Sequence, residues 1–243
     1  MKTKILFFIL ILSAFTLKTY ISDENKEVIW LYLIFQDKKI DYYIEVEIDG
    51  HVIFRSVEKG KSIIREGSIK RVYVKDFFRE TKNSDLMRYS RNIDLSKTLF
   101  FKGELIKISA NIDGEIRRII SPLNRFSNTF VYALRQVISE AEKLDVKNYS
   151  SFITATPLEG ETYINYLKKV PSGYKLPVIE TREVKKNKFI FKAINYPFRL
   201  IPLSTKEDEA SVSDFMNKYN LYGTSSSFYI GTTRGNYQIS IIK

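Results

Sequence analysis

One histidine, His51, and no cysteine in 243 residues limit the chemistry open to this chain. A serine nucleophile activated by imidazole would have to use His51, which directly follows the Asp49-Gly50 pair. A hairpin there would set it opposite Ile48 at a sheet end, and no Gly-x-Ser-x-Gly elbow accompanies it. Zinc sites built from several histidines or cysteines are excluded by count, and so are thiolate and disulfide chemistry. Carboxylates are plentiful. A glycosidase-type pair, held about 5 to 10 Å apart across a sugar, could be drawn from Glu159, Glu161, Glu180 and Glu183. Glu207, Asp208 and Glu209 better suit the first turn of a helix, where negative charge meets the positive end of the dipole. Gly231 and Gly235 flank Thr-Thr-Arg without the spacing of a Walker or dinucleotide loop. The two Ile-Asp-Gly runs, at 48–50 and 112–114, lack the further acidic ligands of a calcium loop. No catalytic residue, metal or cofactor is assigned.

Binding chemistry has two candidates. In IKRVYVK at 69–75, read as a strand, Arg71, Tyr73 and Lys75 share one face, with Arg65, Arg79, Arg88 and Arg91 nearby. Arginine offers paired hydrogen bonds to phosphate or carboxylate, and tyrosine a flat apolar surface. The second candidate is Lys185, Lys186 and Lys188, flanked by Arg182 and Lys192, at the tip of a hairpin formed by KLPVIETREV and KFIFKAI.

The elements that would carry these residues follow from periodicity. VIWLYLIF at 28–35 reads as a central strand. YYIEVEIDGHVIFRSV at 42–57 and LIKISANIDGEIRRII at 105–120 each read as strand, Asp-Gly type I′ turn and strand. In the first, Tyr42, Ile44, Val46 and Ile48 mark a buried face and Tyr43, Glu45 and Glu47 a wetter one. Asp76 to Asp94 is polar and basic, helical in part or loop, and TLFF at 98–101 leads into the second hairpin. Leu123, Phe126, Phe130, Leu134, Val137, Ala141 and Leu144 recur at three and four residues, predicting a helix over about 122–144 capped by Ser121 with Pro122 in its first turn. Beyond it, FITATPL suggests a strand and GETYINYLKK a short helix. Ser204 and Glu207, at capping-box spacing, precede a second helix over about 206–219. SFYIGTTRGNYQISIIK closes the chain as a hairpin around 232–236.

Strands and helices without regular βαβ alternation predict an α+β fold, largely antiparallel and built from hairpins. An outer-membrane barrel would need lipid-facing strands throughout and would not accommodate the long helix. The segments divide as 1–22, 23–145 and 146–243, the last two forming two halves or one continuous domain.

The opening MKTKILFFILILSAFTLKTYISDE has the order of a secretory leader: Lys2 and Lys4, an apolar run, then Ser13, Ala14 and Thr16. Ile5 to Leu17, as a helix, reaches about 20 Å against roughly 30 Å of bilayer hydrocarbon. A signal removed with residues 1–22 is expected, an uncleaved anchor over residues 5–21 being the alternative. The leader holds three of the 39 basic residues and no acid, leaving 36 against 28, or about +8. That surplus favours an anionic envelope polymer or lipid headgroups, with an envelope protein the other partner class, and export argues against nucleic acid. The sequence thus points to a periplasmic or cell-surface binding protein rather than an enzyme. A carboxylate-dependent hydrolase of envelope material and a membrane-tethered assembly factor are the alternatives.

Overall fold

Val28–Phe35 (β1) carries apolar or aromatic side chains at every position, so neither of its faces suits water, and it lies in the interior of a seven-stranded sheet. A computed structural model describes residues 26–35, 40–58, 61–89, 92–95 and 103–243. The readings of residues 1–22 as a leader, 5–21 as an anchor and 98–101 as a strand fall outside the described residues. Two compact units divide the chain, Met1–Lys147 and Asn148–Lys243. Both combine helices with a mostly antiparallel sheet, so the fold is α+β.

In the first unit β1 pairs antiparallel with Ile40–Glu47 (β2) on one side. The meander continues through His51–Glu58 (β3) and Lys61–Ser68 (β4), a strand the sequence reading did not assign. On its other side β1 pairs with Glu104–Ile112 (β6), which turns into Glu115–Pro122 (β7); the short Asn92–Asp94 (β5) joins the edge in parallel. The two Asp-Gly turns differ. Asp113 and Gly114 both take positive φ (54° and 77°), as a type I′ turn requires. At the first turn only Gly50 does (φ 103°), its N–H donating to the Glu47 carbonyl. Val52 therefore pairs with Val46, and His51 lies beside Glu47 rather than opposite Ile48, its Nδ1 3.8 Å from the carboxylate.

Two helices cover one face of this sheet. Arg71–Asn83 (α1) buries Val74, Phe77, Phe78 and Thr81, and Asn128–Ala141 (α3) buries Phe130, Ala133, Leu134, Val137, Ile138 and Ala141, all but Thr81 joining the core with Ile29, Leu31, Leu33, Ile44 and Ile108. Between them lies the short Asp85–Tyr89 (α2). The strand expected at 69–75 is therefore a helix from Arg71 on. Alternation within seven residues mimicked a strand, but the spacing of Val74, Phe77, Phe78 and Thr81 is helical, and Val72 is left exposed.

The helix expected over 122–144 begins six residues later. Ser121 is fully buried in β7 opposite Ile106, Pro122 ends that strand, and Leu123–Arg125 forms a 3-10 turn. The cap is Ser127, whose Oγ accepts from the Phe130 N–H at 3.2 Å. Leu123 and Phe126 still reach the core, so apolar spacing continues across a break in the helix. The face expected to be wetter is not. Trp30, Tyr43, Glu45 and Ser109 are all buried, and the Tyr43 hydroxyl donates to Glu45 at 2.8 Å.

In the second unit Ser151–Pro157 (β8) and the closing hairpin of Ser227–Thr232 (β12) and Gly235–Ile242 (β13) lie where expected. Ile201–Leu203 (β10) and Gly223–Thr224 (β11) form the edges, and Val178–Ile179 (β9) pairs in parallel with β12. The hairpin expected around 185–188 is replaced by Thr181–Val184 (α5) and Lys188–Asn195 (α6). Asn187 dictates this: its side-chain oxygen accepts from the N–H groups of Phe189 and Ile190, and Phe189, Ile190, Ala193 and Ile194 then recur with helical spacing on the buried side. The last helix, Lys206–Lys218 (α7), has a capping box shifted one residue from expectation, Thr205 pairing with Asp208 rather than Ser204 with Glu207. Together α6 and α7 cover Ile153, Ala155, Phe228, Ile230 and Ile239.

Candidate docking surface

Helical geometry separates the first set of expected binding residues. Successive residues on a helix turn by about 100°, so Arg71 and Lys75 share an exposed side of α1 whereas Tyr73 turns away and packs against the core of its unit. The second set shares a region but is partly occupied within the chain. Lys186 pairs with Glu183 at 2.6 Å, Lys185 lies 5.3 Å from the centre of the Phe191 ring, and Lys188 lies 4.7 Å from that of Phe189. All three border the α5–α6 junction, and their arrangement fastens local structure.

Three of the polar residues considered for catalysis, His51, Glu180 and Glu183, are also engaged. His51 Nε2 meets Glu66 at 2.8 Å. Glu183 gathers Lys186, the Tyr219 hydroxyl at 2.6 Å and Lys218 at 3.3 Å; the hydrogen bonds from Lys186 and then Tyr219 hold its carboxyl down at about 2. It is a fixed anion tying α5 to the end of α7. Glu180 pairs with Arg182 at 2.7 Å. At the closing hairpin, Thr181 and Thr233 hydroxyls are 2.9 Å apart and Arg234 donates to Asn195.

The surface that sequence reading missed is Glu161–Lys169 (α4). Thr162 fixes its start by donating to the carbonyls of Pro157 and Glu159. One side chain, Tyr166, points inward and meets Tyr229 of β12 edge-on, ring centres 4.9 Å apart. Around that contact lie Tyr163, stacked on Tyr166 at 5.9 Å, and Tyr222, stacked on Tyr229 at 6.5 Å and 5.3 Å from Tyr174. The Tyr222 hydroxyl donates to the Lys169 carbonyl at 2.9 Å, and its N–H donates to the Tyr174 hydroxyl, so the end of the helix is anchored to the sheet. Burial, followed by the neighbouring tyrosines, raises the Tyr166 hydroxyl above its ordinary range; burial and then Tyr222 do the same for Tyr229. These two hydroxyls, at the centre of the group, stay uncharged at physiological pH.

Only part of the apolar arc of α4 is used by that contact. Tyr163, Ile164 and Leu167 remain 43%, 52% and 53% exposed, three large apolar side chains on adjacent turns. Lys168 and Lys169 follow them directly and are also exposed, as is Lys175 in the next loop. Isolated exposed apolar residues are ordinary on protein surfaces, but a contiguous group rimmed by charge marks a contact site. The signal was legible in YINYLKK, where a short amphipathic helix carries more apolar positions than one buried side requires.

No helix among the described residues is long and apolar enough to cross a membrane. The chain matches no protein-family model and no curated protein.

Proposed function

We propose that the chain is an exported binding protein of the cell envelope and that the outer face of α4 is its contact surface. One observation carries the choice of surface: Tyr163, Ile164 and Leu167 stand together in solvent on a helix whose inner side is already fixed by the tyrosine group. Burial of such a group against a partner releases ordered water, with roughly 1 kcal/mol available from each of Ile164 and Leu167, about half the gain of full burial because each is already half covered. Export is supported by the leader-like opening. The surplus of basic residues supports an acidic or anionic environment for the partner.

The test immobilises the full chain and measures retention of material from an envelope extract. Ile164→Glu combined with Leu167→Glu is expected to reduce retention at least tenfold with an unchanged circular dichroism spectrum, since both side chains are already half in water. Arg71→Gln with Lys75→Gln, on α1, serves as the contrast and is expected to leave retention intact. Undiminished retention by the α4 variant removes this surface from the reading.

A further inference from the structure

Between Thr162 and Ile179 the chain has three lysines and no acidic residue, together with three tyrosines. The lysines are exposed, and they border the same short helix that exposes Ile164 and Leu167. A soluble polyanion would use the lysines but gain nothing from the aliphatic side chains. An apolar protein cleft would use the aliphatic side chains but would have to accommodate the ammonium groups. The boundary between anionic headgroups and acyl chains offers both environments a few ångströms apart, and it is where amphipathic tyrosine rings concentrate. At about 1.5 Å per residue, a nine-residue helix spans about 13 Å, far short of a bilayer, so its fit is to the surface plane. Lysine stems are long enough to lie along the apolar layer while their ammonium groups stay at phosphate level.

We infer that α4 docks on an anionic lipid surface, with Ile164 and Leu167 entering the headgroup–acyl boundary and Lys168, Lys169 and Lys175 meeting lipid phosphates. This assignment rests on the docking reading above and names its occupant.

The experiment is co-sedimentation of the full chain with vesicles of phosphatidylglycerol mixed with phosphatidylcholine, and with phosphatidylcholine alone. The leader is common to every variant, so differences between variants report on α4. Wild type is expected to partition onto the mixed vesicles and to release as ionic strength is raised toward 1 M, where screening shortens to about 3 Å. Each of Lys168→Gln, Lys169→Gln and Lys175→Gln should lower the partition coefficient about fivefold. Ile164→Ser with Leu167→Ser should lower it at least tenfold. Unchanged partitioning of the lysine variants on the mixed vesicles, or undiminished binding by the serine variant, overturns the lipid assignment. The two readings fail separately. If the α4 variant loses envelope retention while wild type ignores both vesicles, the lipid is wrong and the surface stands. If envelope retention is indifferent to α4, the surface itself is wrong.

Discussion

At the scale of single residues, Glu183 shows how a carboxylate that resembles a catalytic candidate in sequence becomes a structural anion. Hydrogen bonds from Lys186 and Tyr219 favour its charged form, which holds its carboxyl at about 2 in the folded chain against about 4.3 for an ordinary glutamate. A carboxyl depressed on folding stabilises fully above the unfolded value, and that contribution disappears as pH falls through the folded one. The wild type should therefore melt above Glu183→Gln at pH 7. The difference should shrink as pH falls from about 4.5 and disappear as it passes below about 2. Thermal melts of both proteins across that range check it, and a constant difference would assign the effect to packing. Asn187 is the other decisive residue. It is buried, it accepts from two N–H groups at the start of α6, and its amide donates to the Ser211 carbonyl and hydroxyl. Asn187→Ala should cost about 2 kcal/mol in denaturant titration, combining a lost cap with lost buried hydrogen bonds. Asn187→Asp keeps the acceptor and loses the donor, and should fall between the two.

At the scale of elements, sequence legibility followed window length and local chemistry. β1, both Ile-Asp-Gly hairpins, β8, α4 and the closing hairpin announced themselves through alternation or turn residues, because these signals act within a few residues. Three readings failed where a residue or pairing outside the chosen window decided the outcome. IKRVYVK alternates over seven residues, but the next eight place Phe77, Phe78 and Thr81 on one side of a helix. KFIFKAI has the β-branched and aromatic content of a strand, yet the Asn187 cap starts a helix there. Ser121 and Pro122 resemble a helix start, but pairing of β7 with β6 runs through both, leaving Ser127 to cap. The contact surface was harder to read than the fold. Whether Ile164 and Leu167 are covered depends on which side of α4 meets β12, and the tyrosine group that fixes this joins Tyr174, in the loop after the helix, to Tyr222 and Tyr229, which lie 50 or more residues beyond α4. Tyr73 leaves the expected grouping with Arg71 and Lys75 for the same reason the strand reading failed, since the three share a face on a strand but Tyr73 diverges on a helix.

At the scale of the whole molecule, the proposed compartment and the proposed surface make linked demands on the chain. Each unit has its own apolar core, one centred on the seven-stranded sheet and the other on the six-stranded sheet, and neither uses a disulfide. In the proposed compartment, stability would come from burial and hydrogen bonding alone, which is feasible at this length. The leader bears on what the vesicle measurements mean, because an uncleaved apolar segment holds the chain at a membrane irrespective of lipid charge, whereas α4 requires anionic headgroups. Export with removal of residues 1–22 leaves α4 as the means of reversible association. Mass spectrometry of protein isolated from its native source should accordingly find a chain lacking the leader, with an amino terminus near Asp23. Washing the envelope fraction with high salt should release that species into solution. A full-length product that resists the wash would make the leader an anchor and α4 at most an auxiliary contact. A full-length product in the cytosol would remove the envelope altogether.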